Sequence, residues 1–302
     1  MQARRPEVPA VWTVRDLVNW GKEFFTSKGI DEARLTIELM VCSVLSIRRI
    51  ELYTDHDRPL SKDELAKLRE MVQRRVKHEP LQYIIGTADF FGLTFEVNRD
   101  VLIPRPETEI LVDLVLRYAS VVGKSLTCID IGTGSGIIPI TVAKNSPLTT
   151  WTGMDVSESA LSCAHANAVR HGVADRLMLV DGNFLDTIPA GGPWDIITMN
   201  PPYIDKNEIA GLEPEVRDYE PEQALTDHAD GLTFYRRLAE LIPDILAPRG
   251  RAFLEIGYGQ AEAVSAIFRG ASCSVDVKND LAGIARTLIV ARNQVATKGT
   301  VV

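Results

Sequence analysis

The chain is 302 residues long, which is typical of two domains rather than one. A hydrophobic fraction of 45% and a charged fraction of 25% are those of an ordinary globular protein, and they leave enough apolar side chains for a core in each domain. The formal net charge of -8 argues against stable nucleic-acid binding, because such binding generally requires a basic surface.

The sequence contains no apolar run long enough to span a bilayer. The N-terminus has basic residues but no hydrophobic stretch after them, so it is unlike a secretory signal. The four cysteines are scattered singly and the five histidines show no ligand pairing, which predicts no metal site. We therefore expect a cytoplasmic protein that binds no metal.

Residues 1–82 are predicted to form a small helical bundle. Thr13 is a suitable N-cap for a first helix, and a second helix is expected soon after Asp31. Ser61 and Glu64 form a capping-box pattern before a third amphipathic helix. Basic and acidic residues nearly balance between positions 12 and 82, so this module is nearly neutral.

Residues 83–103 have the pattern of a β-hairpin linker, with aromatic and β-branched residues on either side of Gly92. Pro104 and Pro106 then end the extended segment. Pro106 also suits the first turn of a helix that places Glu107 and Glu109 near its positive N-terminal end.

Residues 104–302 alternate short apolar strands with helical stretches. This pattern predicts a doubly wound α/β domain with a mostly parallel sheet, which binds ligands at the carboxyl ends of its strands. Seven strands are expected, at residues 127–131, 152–156, 177–180, 195–199, 251–256, 274–277 and 287–291.

The first strand of this domain runs into a glycine-rich turn, Asp130-Ile131-Gly132-Thr133-Gly134-Ser135-Gly136. Glycines let the backbone turn sharply and approach a ligand closely. The spacing is G-x-G-x-G rather than the G-x-G-x-x-G of a dinucleotide site, and the carboxylate of Asp130 would repel a pyrophosphate. A ligand that carries a sulfonium and an ammonium group, S-adenosylmethionine, fits this charge better.

Two further strand ends supply candidate cofactor contacts. Asp155 ends the second strand, where a carboxylate can accept both ribose hydroxyls of a nucleoside. Asn183 and Phe184 follow the third strand, and they could bond the adenine edge and cover its ring. An ordinary strand-to-helix turn is the alternative interpretation of these last two residues.

The fourth strand delivers Asn200-Pro201-Pro202-Tyr203 to the same edge of the sheet. A planar amide or aromatic amine nitrogen is a poor nucleophile, because its lone pair is delocalised. The side-chain oxygen of Asn200 and the carbonyl of Pro201 can bind its two N–H hydrogens and orient it for in-line methyl transfer. Tyr203 can wall in the planar group. Asn200, Pro201 and Tyr203 are therefore the candidate catalytic residues, and Pro202 completes the substrate-binding motif.

At these residues the chain resembles the HemK/PrmC family of protein-(glutamine-N5) methyltransferases. The resemblance covers nearly the whole chain and is most specific at residues 79–86, 104–109 and 200–203, with support at 220–225, 230–236 and 254–260. It implies a seven-stranded, Rossmann-like class I methyltransferase domain with S-adenosylmethionine as the cofactor. It also implies methylation of the glutamine in the GGQ motif of class 1 peptide-chain release factors. Residues 1–82 would bind the release factor.

The resemblance assigns roles by position. Gly132 through Gly136 would cradle the methionine part of the cofactor, Asp155 would bind its ribose, and Phe184 would cover its adenine. Residues 200–203 would hold the glutamine side chain, with Asn200 next to the cofactor. Two departures stand out. Asn183 occupies a position where an aspartate is expected, and His228 one where a glycine is common.

Two other functions remain open from the motifs alone. An adenine-N6 methyltransferase meets the same nucleophile problem with the same motif, but it would flip a base and usually carries a basic recognition region. A binding protein without catalysis would need a damaged transfer site, and residues 200–203 are intact. We expect a monomer whose partner is a release factor, with no stable nucleic-acid or membrane partner.

Overall fold

The computed structural model describes residues 11–188 and 191–293. The chain divides into two compact units, residues 1–85 and 86–302. The division falls after Ile85, three residues beyond the boundary expected from the sequence, because Leu81–Ile85 still form a short helix. The first ten residues, on which the expectation of no signal sequence partly depends, lie outside the described residues.

The described part of the first unit is helical, as predicted. Thr13 Oγ1 accepts a hydrogen bond from the backbone N–H of Asp16 at 3.2 Å, and Ser61 Oγ accepts one from that of Glu64 at 3.2 Å, which confirms both predicted helix starts. The helices described here are α1 (Val14–Ser27), α2 (Ala33–Leu45), α3 (Glu51–Thr54), α4 (Lys62–Arg75) and α5 (Leu81–Ile85).

The second unit is a mixed α/β domain. Its described strands are β1 (Thr87–Phe90), β2 (Leu93–Glu96), β3 (Leu126–Ile131), β4 (Thr149–Asp155), β5 (Leu177–Asp181), β6 (Trp194–Met199), β7 (Leu246–Glu255), β8 (Cys273–Asn279) and β9 (Ala285–Arg292). Its described helices are α6 (Thr108–Val122), α7 (Ile137–Asn145), α8 (Glu158–His171), α9 (Pro214–Arg217), α10 (Glu222–Leu225), α11 (Thr233–Ile245) and α12 (Ala261–Gly270). Among the described residues, none of the helices has the length and apolar character needed to cross a membrane.

Seven strands form one sheet in the order β5-β4-β3-β6-β7-β9-β8. Neighbours are parallel except where β9 runs antiparallel to β7 and β8. Both faces are covered, since Ile197 and Leu254 are buried in one apolar cluster with residues of α11, and Ile196 and Phe253 in another with residues of α6. The predicted doubly wound, mostly parallel sheet is confirmed. The chain reverses its direction of winding between β3 and β6, and such a switch point is where ligands bind.

The predicted hairpin is also present, as β1 and β2 joined at Phe91 and Gly92, which both have positive φ. It packs within the second unit. The side chain of Asn167 on α8 accepts from the Glu96 backbone N–H at 2.7 Å and donates to the Glu96 carbonyl at 3.0 Å.

Several element boundaries differ from the prediction by one to five residues, and two of the differences have a clear physical reason. The helix expected to include Pro106 begins at Thr108, because residues 105–107 form a turn whose carbonyls accept the N–H groups of residues 108–110. β7 begins at Leu246, five residues earlier than expected, and its register with β6 shifts between Trp194 and Ile196. Residues 248–251, Pro-Arg-Gly-Arg, lie in this irregular stretch and hide the start of the strand from a hydrophobicity pattern.

Candidate active site

The candidate site lies at the carboxyl ends of β3 and β6, which are adjacent parallel strands. Ile131 and Met199 are paired across these two strands. Gly132 and Asn200 follow them directly, so the glycine loop and the Asn-Pro-Pro-Tyr segment start about one strand spacing apart, roughly 4.8 Å. The topology therefore brings together two motifs that are 68 positions apart in the chain.

The glycine loop folds over the end of β4 and uses its own N–H groups to do so. The N–H groups of Gly132 and Thr133 both donate to the carbonyl of Met154, at 2.8 and 2.9 Å. The N–H of Gly134 donates to Oδ2 of Asp155 at 2.8 Å. A phosphate site needs free N–H donors in such a loop. Because these three N–H groups already donate within the protein, the loop is poorly suited to a pyrophosphate. This agrees with the expectation from the sequence that the charge of Asp130 would repel one.

The rest of the loop forms its inner side. Ser135 and Thr133 are buried, and the carbonyl of Ser135 accepts from Nδ2 of Asn167 at 3.0 Å. Gly136 has a φ of +80°, and a Cβ there would lie 2.7 Å from Cδ1 of Ile140. A glycine is required at this position because the conformation is left-handed and the space is filled by the first turn of α7.

Asp130 is a buried carboxylate beneath the loop. Its Oδ1 accepts from the Thr198 hydroxyl at 2.6 Å, whereas Oδ2 has no hydrogen-bond partner within residues 11–188 and 191–293. Burial raises the pKa of Asp130 to about 7, and the hydroxyls of Thr198 and Thr133 partly offset this. An unpartnered buried carboxylate oxygen is costly unless a cation compensates it. The site therefore fits a ligand with positive charge, such as the ammonium or sulfonium of S-adenosylmethionine.

Asp155 is half-buried and anchors the turn after β4. Its Oδ1 accepts from the N–H of Ser157 at 3.0 Å, in addition to the bond from Gly134 to Oδ2. Burial raises its pKa, although these backbone hydrogen bonds favour the charged form. Each carboxylate oxygen keeps a second lone pair that can accept a ligand hydroxyl.

A cavity of about 100 Å³ joins these strand ends. It brings together six of the residues expected from the sequence: Gly132, Asp155, Asn183, Phe184, Asn200 and Pro202. The other expected residues do not line it: Thr133, Gly134, Ser135, Gly136, Pro201 and Tyr203. Sequence reasoning assigned no site role to Gln223, Ala224 and Phe234, which also line the cavity. The family-specific segment 220–225 was the available signal for the first two.

Asn183 and Phe184 both line the cavity but differ in how much of the side chain is available to a ligand. The Asn183 side chain holds its own turn, since Oδ1 accepts from the Leu185 N–H at 3.1 Å and Nδ2 donates to Asp186 at 2.8 Å. One amide hydrogen and one lone pair remain for a ligand. Phe184 is buried against the apolar core and presents its ring to the cavity wall.

The Asn-Pro-Pro-Tyr segment is held by contacts to Thr108, Glu255 and Gln260. Nδ2 of Asn200 lies 3.4 Å from the Thr108 hydroxyl oxygen on α6. The Tyr203 hydroxyl lies 3.5 Å from Oε1 of Glu255, and the Tyr203 carbonyl accepts from Nε2 of Gln260 at 2.8 Å. Burial raises the pKa of Tyr203 above its usual value, so the ring carries a neutral phenol.

Two glycines make room for Tyr203. A Cβ on Gly231 would lie 2.1 Å from the Tyr203 carbonyl oxygen, and a Cβ on Gly257 would lie 3.0 Å from Cδ2 of its ring. Gln260, which bonds the same carbonyl, also accepts from the Gly257 N–H at 2.9 Å. These partners lie 28 to 57 positions beyond Tyr203 and appeared in the sequence only as family-specific segments without a role.

His228, the departure from a common glycine, adopts the conformation that a glycine would favour. Its φ is 58°, in the left-handed region, and its N–H donates to the Thr226 hydroxyl at 3.1 Å. The loop conformation is therefore left-handed at this residue despite the substitution, at a cost of about 1 kcal/mol.

A doubly wound sheet, an acidic glycine loop and an Asn-Pro-Pro-Tyr segment on the adjacent strand define a class I methyltransferase with S-adenosylmethionine as its cofactor. The crystal structure of a methyltransferase from Pyrococcus furiosus has the same fold, with a TM-score of 0.50 and 18% identity over 76% of this chain and 98% of that one.

The sequence comparisons identify the family. The PrmC N-terminal domain model matches residues 16–86, and the Methyltransferase small domain model matches residues 108–212. The release factor glutamine methyltransferase of Geobacter sulfurreducens is 41% identical over 284 residues, which cover 93% of this chain and 98% of that protein. The protein of the same name from Chlorobaculum tepidum is 39% identical over 277 residues, covering 89% and 94%. The chain belongs to the release factor glutamine methyltransferase family, and the resemblance noted from its motifs is confirmed.

Proposed function

We propose that this protein transfers the methyl group of S-adenosylmethionine to the side-chain amide nitrogen, N5, of the glutamine in the GGQ motif of class 1 peptide-chain release factors. The observation that carries the proposal is that Asn200 lines the same cavity as Gly132 and Asp155. An amide acceptor group and the candidate cofactor contacts thus share one small space. The names of the related proteins support glutamine as the methylated residue.

The cofactor residues have distinct tasks in this proposal. Residues 132–136 cradle the methionine part, and Asp130 supplies negative charge beneath it. Asp155 accepts the ribose hydroxyls with its remaining lone pairs, while Asn183 and Phe184 bond and cover the adenine. The bound cofactor supplies an electrophilic methyl group whose bond to sulfur breaks as its bond to the glutamine nitrogen forms.

Asn200, Pro201, Pro202 and Tyr203 hold the glutamine side chain. The Asn200 Oδ1 and the Pro201 carbonyl accept the two N–H hydrogens of the amide, which fixes the direction of its nitrogen. These two oxygens also stabilise the positive charge that develops on nitrogen during attack. Pro202 lines the cavity. Tyr203 is held at its side-chain hydroxyl by Glu255 and at its backbone carbonyl by Gln260, and its ring packs beside the planar amide.

The reaction needs no strong base in the protein. Once methylated and cationic, the amide nitrogen is acidic and releases its proton to water. The Tyr203 phenol of the substrate-binding segment is kept neutral by burial and cannot act as a base near neutral pH. Asn200 and Pro201 therefore act by orientation and charge stabilisation.

The test is methyl transfer from labelled S-adenosylmethionine by the full chain to four substrates. These are a class 1 release factor, the same factor with alanine in place of the GGQ glutamine, and duplex DNA together with RNA. Label in the unmodified release factor alone would support the proposal. Label in nucleic acid, with none in the release factor, would overturn it in favour of adenine methylation.

We also expect the protein to act in the cytoplasm as a monomer without stable nucleic-acid binding. The net charge of -8 supports the last point. Size-exclusion chromatography with light scattering would test the monomer, for which the expected mass is 33.4 kDa. Elution at twice this mass would contradict it.

A further inference from the structure

A buried hydrogen-bonded chain connects Asn200 to the interior of the second unit. Oγ1 of Thr108 lies 2.6 Å from Oε2 of Glu255 and 3.4 Å from Nδ2 of Asn200. Thr108 is 0% exposed and Glu255 is 2% exposed, so water does not compete for these groups. The proposed mechanism uses Asn200 but does not explain why a carboxylate and a hydroxyl are buried behind it.

The chemistry of the hydroxyl decides the direction of each bond. A threonine has a single O–H hydrogen, and a carboxylate can only accept. At 2.6 Å the Thr108 hydrogen is therefore committed to Glu255 in a short, charge-assisted hydrogen bond. The Thr108 oxygen can then only accept from Asn200. The NH₂ end of the Asn200 amide must face Thr108, which leaves Oδ1 for the other side.

We propose that Thr108 and Glu255 are positioning residues that set the orientation of the Asn200 amide, so that its oxygen and not its NH₂ group faces the substrate amide. This inference rests on the proposed function, because only a substrate that donates N–H hydrogens needs the oxygen outward. A reversed Asn200 amide would present two donors to a donor and would hold the substrate nitrogen poorly.

The protonation state of Glu255 controls this arrangement. Burial raises the pKa of Glu255 to about 7, Glu107 raises it further, and the bond from Thr108 and the charge of Arg286 lower it. Tyr203 and Tyr235 are the other titratable groups that face it, and burial raises the pKa of both, so both phenols stay neutral. A protonated Glu255 can donate to Thr108, whose own hydrogen is then free to bond Oδ1 of Asn200. The productive orientation is thus lost as the pH falls below about 7.

Three threonine variants separate positioning from folding. Thr108→Val keeps the shape but removes the hydroxyl, and kcat should fall about tenfold, the scale of one lost hydrogen bond, with the cofactor KM nearly unchanged. Thr108→Ser keeps the hydroxyl and should retain most of the activity. Thr141→Val is the matched control, since Thr141 is also 0% exposed but its Oγ1 has no partner within the described residues. It should leave kcat unchanged.

Glu255→Gln supplies an independent arm, because it mimics the protonated acid at constant size. The activity of the unmodified protein, with cofactor and release factor saturating, should decline toward acid with a midpoint near 7. Glu255→Gln should have a low kcat at every pH and lack this decline, whereas a decline caused by Asp130 would persist in both proteins.

Unchanged kcat in Thr108→Val, or an acid decline that survives in Glu255→Gln, would overturn the positioning role. A kcat loss in Thr108→Ser as large as in Thr108→Val would overturn it as well, since the hydroxyl would then not be what matters. If the unmodified protein itself fails to methylate the release factor, the proposed function fails instead, and the two failures are thereby distinguished.

Discussion

Gly231→Ala is expected to displace the Tyr203 carbonyl and lower kcat/KM for methyl transfer about hundredfold. Gly231 has a φ of +74°, and a Cβ there would lie 2.1 Å from the Tyr203 carbonyl oxygen and 2.8 Å from its carbonyl carbon. A relaxed contact between a carbon and a carbonyl oxygen is about 3.3 Å. One of the two segments must therefore shift by about 1 Å.

The variant should lose stability and activity for separate reasons. An alanine in the left-handed region costs about 1–2 kcal/mol by itself. The collision acts on Tyr203, whose carbonyl also accepts from Gln260 at 2.8 Å, so a shift breaks or stretches that bond. Misplacement of a substrate-holding group by about 1 Å can cost a factor of about 100 in rate.

Gly172→Ala is the matched control. Gly172 caps α8 with a φ of +68°, and a Cβ there would have no atom within 4 Å. It should lose about 1–2 kcal/mol in urea unfolding and keep its initial rate of methyl transfer. Equal activity of Gly231→Ala and Gly172→Ala under conditions where both are folded would refute the argument that Gly231 seats Tyr203.

Three further predictions follow from the site. Asn200→Ala should lower kcat about hundredfold or more while calorimetry finds cofactor binding largely intact. Asn145→Ala removes an amide that donates to the Thr141 carbonyl in its own helix, and this control variant should change neither quantity. Asp155→Ala should weaken cofactor binding by about 1.5–3 kcal/mol, and an unchanged affinity would reject its role. Burial raises the pKa of Asp130 in the folded protein to about 7, above its value of about 4 in the unfolded chain. Protonation of Asp130 therefore stabilises the folded protein fully below about pH 4, and this contribution to the free energy of unfolding is lost as the pH rises through 7. Relative to the unmodified protein, Asp130→Asn should therefore gain a few kcal/mol of unfolding free energy between pH 4 and pH 8 in cofactor-free urea titrations, and a constant difference would contradict the shift.

The parts of the fold that depend on local chemistry were predictable from the sequence. Thr13 and Ser61 start helices because their side chains satisfy nearby backbone donors, and that pattern is confined to four residues. The central strands of the sheet were found because both of its faces are buried there and these strands are nearly continuous apolar runs, whereas the edge strand β8 alternates polar and apolar residues. Boundaries failed where tertiary contacts override the local signal, as at β7, whose start contains charged residues.

The candidate site was predictable where one short segment carries the chemistry. The glycine loop and residues 200–203 each follow a recognisable strand, and the order of strands places them side by side. The partners of Tyr203 and Asn200 were not predictable, because Thr108, Glu255 and Gln260 meet them only through long-range packing. The engagement of Asn183 with its own turn was likewise invisible without coordinates.

The most direct test of the account is to locate the transferred methyl group. The full chain would be incubated with methyl-deuterated S-adenosylmethionine and a class 1 release factor, and the GGQ-containing peptide would be sequenced by mass spectrometry. We predict one deuterated methyl group on the side-chain amide of that glutamine, and about a hundredth of that label or less at equal reaction time when Asn200→Ala replaces the unmodified protein. A label on any other residue, or an unlabelled peptide from protein that demonstrably binds the cofactor, would contradict glutamine methylation.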